Sequence, residues 1–137
     1  MTVLHGDCIE MLRSLPDSSV DSVITDPPYC SGAFTEAGRT AAKGQGLRSE
    51  TLADTGWFKG DNMGTAGIAF LLRAVAVECR RVLKPSGSLL VFCDWRMLVN
   101  LAPAIESAGF RYSNLLVWDK QSMGLGTGFR VQHELVM

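Results

Sequence analysis

The chain has 137 residues, of which 47 % are apolar and 20 % charged, and its formal net charge is −1. That length fits one domain, and the composition excludes a disordered chain. The charge excludes the broad basic footprint of a self-sufficient nucleic-acid binder, and no apolar run approaches the roughly 20 residues of a membrane helix.

Thr2-Val3-Leu4-His5 reads as a short strand ending at Gly6-Asp7. The start lacks the basic and apolar regions of a secretory signal, so a cytoplasmic location is expected. Cys8 to Leu15 reads as a helix with Cys8, Ile9, Met11, Leu12 and Leu15 on one face. Asp7 is its candidate N-cap and Pro16 its stop. Val20 to Thr25 is a second strand that runs directly into Asp26-Pro27-Pro28-Tyr29. From residue 30 to residue 62 Gly, Ser, Thr, Ala and charged residues dominate, and periodicity fades. A loop this long inside one domain is expected to be mobile and to serve the substrate side.

Met63 to Leu83 carries the longest helical pattern, with Ile68, Leu71, Leu72, Val75, Val82 and Leu83 as the buried stripe. Lys84-Pro85-Ser86-Gly87 reads as a stop and turn. Ser88 to Cys93 is a continuous apolar strand of the kind buried on both faces of a parallel sheet. Asp94 ends it. Trp95 to Ala108 reads as a helix with Pro103 inside it, Phe110 to Trp118 as a strand, residues 124–128 as a glycine-containing loop, and Val131 to Met137 as a last strand. The alternation of strands and helices predicts an α/β domain with a mostly parallel sheet. The last two strands are joined by too little chain for a helix, so they are expected to form an antiparallel pair at the C-terminal end. The cysteines are Cys8, Cys30, Cys79 and Cys93; none makes a Cys-x-x-Cys pair and neither His stands near one. Reduced, mostly buried thiols and no metal site are the expectation.

Asp26-Pro27-Pro28-Tyr29 carries the chemistry. It follows a strand at the carboxyl end, where open α/β sheets bind ligands. An exocyclic amine of adenine or cytosine is a poor nucleophile because its lone pair is delocalised into the ring. Two acceptors on its two N–H groups draw the nitrogen toward tetrahedral geometry and free the lone pair for attack on a sulfonium methyl. The Asp26 carboxylate can be one acceptor. The Pro27 carbonyl can be the other, because the fixed φ of proline holds it rigidly. Tyr29 offers an aromatic face to a base extracted from the duplex, worth about 1–3 kcal/mol of stacking. The plainer reading is a proline turn in which Asp26 caps and Tyr29 packs. Two prolines directly after a hydrophobic strand, flanked by an acid and an aromatic, favour the functional reading.

Gly6-Asp7-Cys8, the run Val20 to Tyr29, Arg81 to Ser88, and Gly128-Phe129-Arg130-Val131-Gln132-His133-Glu134 stand in an order that resembles the DNA amino-methyltransferases. The order is that of the permuted subgroup, with the catalytic motif first and the cofactor glycine motif last. The resemblance implies a Rossmann-like methyltransferase sheet, S-adenosylmethionine as cofactor and double-stranded DNA as substrate, as in restriction-modification. It implies that Asp26, Pro27, Pro28 and Tyr29 grip the target base, that Asp7 and Cys8, with Asp26, contact the cofactor, and that Arg130, His133 and Glu134 lie near the flipped base. A structural hydrogen-bonding role for those last three is the alternative. In the family an Asp at the first catalytic position usually accompanies N6-adenine methylation and a Ser N4-cytosine methylation, so Asp26 favours adenine.

The family's Phe-x-Gly-x-Gly motif and its target-recognition region are not found in these residues. The glycines at 124, 126 and 128 precede their strand and match another loop. The expectation is therefore a single partial catalytic domain over residues 1–137 with an incomplete sheet, completed by a C-terminal half or a partner copy. Weak cofactor binding and little activity are expected of the chain alone. In the family's sheet the first strand and the Val20 strand are separated by two strands that this sequence does not supply, so unpaired edges are expected too. An inactive remnant acting as an interaction module is the rival from another class. No Pro-Cys pair supports a cytosine-C5 enzyme, and neither a deaminase zinc motif nor a P-loop is present.

Overall fold

The computed structural model describes residues 1–28, 64–123 and 130–137. Its elements are α1 (Cys8–Arg13), β1 (Val20–Thr25), α2 (Thr65–Val82), β2 (Leu83–Cys93), α3 (Leu98–Glu106), β3 (Leu116–Asp119) and β4 (His133–Val136). The expected loop over residues 30–62, Tyr29, and the glycine loop at 124–128 lie outside the described residues.

The four strands form one mixed sheet in the order β1-β2-β4-β3. β1 and β2 are parallel, with Ser22 opposite Ser88 and Thr25 opposite Val91. β4 runs antiparallel to β2, pairing Phe92 with Val136 and Cys93 with Leu135. β3 is antiparallel to β4, from Leu116 opposite Val136 to Asp119 opposite His133. The expected antiparallel pair is thus present, and β4 joins it to the parallel part.

Helices α2 and α3 cover one face of this sheet. Ile68 and Leu72 of α2, Leu101 of α3, Met97, Cys93 and Leu135 make one buried cluster. Ala76, Val91 and Ile105 make a second. Both draw on alternate strand residues that point to the same side. On the other face Ile24 is 67 % exposed, Leu116 54 % and Trp118 58 %. Phe92 supports Trp118 there, with ring centroids 5.5 Å apart.

Three local expectations are corrected. Residues 2–5 form no strand, and Val3 and Leu4 are exposed; a strand is stable only where a neighbour takes its backbone groups, and no described strand lies beside it. Helix α2 stops just before Lys84, at Val82, as expected, but Lys84 to Gly87 lies within β2 and does not separate the two elements. Val20 stands opposite Leu83 and Ser22 opposite Ser88, so the four residues bulge out of a ladder that resumes beyond them. Gly87 makes this possible: a Cβ there would lie 2.9 Å from the Asp21 carbonyl oxygen and 2.9 Å from Leu83 Cδ2. Trp95 to Met97 is a turn, and α3 starts only at Leu98.

α1 has six residues, too few to be stable by itself. Asp7 caps it, its Oδ1 accepting from the backbone N–H groups of Ile9 at 3.0 Å and Glu10 at 3.2 Å. At its other end Arg81 of α2 donates to the carbonyls of Leu12 and Leu15, each at 2.9 Å. Leu12 stands in the last turn of α1 and Leu15 just beyond it, so Arg81 adds an outside donor to carbonyls at a helix end, where internal partners run short. Arg81 also pairs with Asp17 and Glu78.

Candidate functional site

The strand directions gather the chemistry at one rim. Because β1 and β2 are parallel and in register up to Thr25 and Val91, Asp26-Pro27-Pro28 and Asp94 leave the sheet on the same side. β4 runs the other way, so His133 and Glu134 enter the sheet where Cys93 and Asp94 leave it. Asp119, at the end of β3, stands opposite His133 on that same side. This is the carboxyl edge of the parallel pair, where α/β sheets bind ligands.

Asp26 is exposed, and Pro27 and Pro28 are half-buried behind it. A residue before proline is confined to extended backbone, so the strand direction carries through Asp26 to the rim. At the neighbouring strand end, the Asp94 carboxylate accepts from the backbone N–H of Arg96 at 2.7 Å and from its Nη1 at 3.1 Å. The Arg96 guanidinium lies 4.8 Å from the centre of the Trp95 ring, and Trp95 is 53 % exposed. An acid followed by an open aromatic therefore ends β2, the strand paired with the one that leads into Asp26. On sequence alone these residues read as a strand end and a helix start. The available signal is the repeat of the arrangement at residues 26–29: an acid at a strand end, then an aromatic.

Farther along the rim, Asp119 Oδ1 accepts from Gln132 Nε2 and from the backbone N–H of Gln121, both at 2.8 Å. The Gln132 bond first, then the Gln121 bond and the nearby His133, hold the Asp119 carboxyl below the usual carboxylate range. Glu134 pairs with Lys120 Nζ at 2.6 Å. Arg130 is exposed, with Nη2 3.6 Å from Met123 Sδ. His133 and Glu134 are thus brought to the same edge as Asp26.

Asp7 and Cys8 are placed differently. They start α1, which α2 holds through Arg81 and through an Arg13–Glu78 ion pair of 3.5 Å. Cys8 is exposed. Among the described residues no hydrogen bond or ion pair joins Asp7 or Cys8 to Asp26. Also among the described residues, no cluster of three His, Cys, Asp or Glu side chains suits a metal ion, and no helix is long and apolar enough to cross a membrane. Cys79 and Cys93 are buried, and desolvation, the main cause, pushes each thiol up to about 11.

A sequence profile described as DNA methylase, of the N6 and N4 type, matches residues 20–137. Among curated proteins, the type II methyltransferase M.HinfI of Haemophilus influenzae is 28 % identical over 140 aligned positions, which cover 99 % of this chain and 37 % of that protein. YubD of Escherichia coli (strain K12), named as a methylase, is 27 % identical over 96 % of this chain and 48 % of its own length. Among solved structures, TTHA0409 from Thermus thermophilus, complexed with S-adenosyl-L-methionine, superposes with a TM-score of 0.62 at 20 % identity, over 96 % of this chain and 49 % of that one. The chain thus spans half or less of the length of these relatives.

Proposed function

The chain belongs to the DNA methylase family, and from that premise we propose that it is the catalytic half of an S-adenosylmethionine-dependent DNA amino-methyltransferase acting on the N6 amine of adenine. The observation that carries the reading is the exposed Asp26 carboxylate, delivered with Pro27 and Pro28 to the carboxyl edge of the parallel pair.

In this reading the Asp26 carboxylate accepts one N–H of the target amine and the Pro27 carbonyl accepts the other. The nitrogen pyramidalises, its lone pair turns outward, and the proton it sheds passes to the carboxylate or to solvent. Pre-positioning of two acceptors supplies the rate, because neither has to reorganise when charge develops on nitrogen. Tyr29 stacks on the extruded base. His133 and Glu134, together with Arg130 before them in the chain, border the space that base enters. Asp26 over Ser at this position favours adenine over cytosine.

The rim suits a cationic cofactor in kind, since Asp26 presents an exposed carboxylate there. S-adenosylmethionine, when bound, supplies the electrophilic methyl group. Asp26 would face its charged end, and Asp7 with Cys8 would hold its adenine. The sequence contains no Phe-x-Gly-x-Gly turn to cradle the methionine portion. The chain by itself is therefore proposed to bind the cofactor weakly and to turn over slowly, with double-stranded DNA as the substrate of the completed enzyme.

The test is methyl transfer to duplex DNA by this chain combined with a polypeptide that supplies the glycine turn and target recognition, followed by mass spectrometry of the digested nucleosides. N6-methyladenine is expected, and Asp26→Ala should remove it by a factor of about 100 or more. N4-methylcytosine would replace the adenine assignment. Undiminished transfer by Asp26→Ala would overturn the role of the carboxylate.

A further inference from the structure

In the sheet β2 lies between β1 and β4. The turn that follows it, over residues 95–97, therefore leaves the rim between the strand end that leads into Asp26 and the strand start that carries His133 and Glu134. A substrate reaching along the rim from one to the other crosses this turn. The amine chemistry assigned to Asp26 makes no use of it.

The turn is held from several sides. The Asp94 carbonyl accepts from the backbone N–H groups of Met97 at 2.9 Å and Leu98 at 3.2 Å. The Asp94 carboxylate accepts from the backbone N–H of Arg96 and from its Nη1. Met97 is buried in the cluster under the rim. Between these anchors Trp95 stays exposed, although Met97, two residues on, shows that the same turn can bury a large side chain. Leaving an indole in water forgoes the free energy its burial would bring, so a rigid turn that presents one fits a surface made for contact. The Arg96 guanidinium over the ring fixes the plane of the indole.

The two charges of the turn are unequally placed. The Arg96 side chain is 45 % exposed and the Asp94 side chain 17 %, so the cation is the member of the pair that meets solvent. A sulfonium is poorly served by a ring with an exposed cation beside it. A nucleotide suits both groups, since it offers a neutral π-face to the indole and a phosphate to the guanidinium.

We propose that Trp95 and Arg96 form a nucleotide-binding contact for the DNA substrate, in which Trp95 stacks on a base of the opened strand and Arg96 binds its phosphate. The contact tolerates any base, because every base has a π-face. It rests on DNA being the substrate, and neither on which base is methylated nor on the role of Asp26.

The experiment is a nitrogen-15 NMR titration of the 137-residue chain with a single-stranded thymidine tetranucleotide and with its abasic counterpart, which keeps the phosphates and lacks the bases. The thymidine tetramer should shift the Trp95 indole N–H and the Arg96 side chain. The abasic tetramer should bind about fivefold or more weakly and leave the indole unmoved. Trp95→Ala should lose a similar factor and Trp95→Phe should keep most of the affinity. Arg96→Gln should flatten the slope of log affinity against log salt by about 0.7, the value for one phosphate on a single strand. Equal binding of the two tetramers, an indole unmoved by the thymidine tetramer, or no binding at millimolar tetramer would overturn the contact. So would an unchanged salt slope in Arg96→Gln. Larger indole shifts with S-adenosylmethionine than with the tetramer would place the turn on the cofactor's side and overturn it too. Thymine has no exocyclic amine, so these results stand apart from those of the methylation assay, and either can fail alone.

Discussion

Leu101→Ala tests whether the cluster under the rim holds the sheet to its helices. Leu101 is 2 % exposed and packs among Ile68, Leu72, Cys93, Met97 and Leu135. Losing the equivalent of three buried carbon groups costs roughly 2.4 kcal/mol in transfer free energy. The space left behind adds about 1 kcal/mol or more, because neighbours on two helices and two strands collapse only partly. The expected loss is therefore about 3–4 kcal/mol, a large share of the 5–15 kcal/mol by which domains are usually stable. With an unfolding entropy of roughly 2.1 cal/mol/K for each of the 137 residues, that loss lowers the melting temperature by roughly 10–14 °C. Urea unfolding followed by circular dichroism gives the number directly. Val99→Ala is the control on the same helix; at 73 % exposure it should stay within about 0.5 kcal/mol of the parent. Equal losses in both variants, or a Leu101→Ala midpoint unchanged from the parent, would refute the assigned packing.

Gly87→Ala should cost about 1–3 kcal/mol by the same assay, since its Cβ would press on the Asp21 carbonyl and the Leu83 side chain at 2.9 Å. Pro103→Ala should stabilise by about 1–2 kcal/mol, because this exposed proline sits inside α3, where it withholds a helix hydrogen bond; a lower urea midpoint would count against that account. In a Cys30→Ser background the exposed Cys8 should react with a disulfide reagent at once, and the buried Cys79 and Cys93 only on unfolding. Both buried thiols titrate near 11 against an ordinary value of 9.0, so the unfolded chain loses these protons first. Their contribution is complete below pH 9 and fades toward pH 11, and the urea midpoint should fall across that interval.

What is legible in the sequence is what local pattern and burial decide together. The apolar stripe expected over residues 63–83 is α2 at Thr65–Val82, and the strand expected at Val20 to Thr25 has those bounds. Asp7 is readable as a cap because capping is a matter of a few residues. Two of the failures share a cause, since each depends on a partner distant in sequence. Residues 2–5 have strand composition but no described neighbour. Lys84-Pro85-Ser86-Gly87 looks like a terminus, yet Leu83 is already paired with Val20, so the chain bulges and returns. At the rim, the Asp26 motif is readable from its residue types, whereas Asp94 and Trp95 gain meaning only from the register that sets β2 beside β1. Tyr29, on which base stacking rests, lies outside the described residues.

The bare face of the sheet has a practical consequence for anyone handling the protein. Among the described residues, Ile24, Leu116 and Trp118 are exposed on strands that carry no helix on that side, so the described sheet has one oily face. Ammonium sulfate, which is excluded from such surface, should salt it out early, and a mild detergent should keep it dispersed without unfolding it. Substituting Lys for Ile24, on the outermost strand, should raise its solubility limit while leaving the helix-covered core untouched.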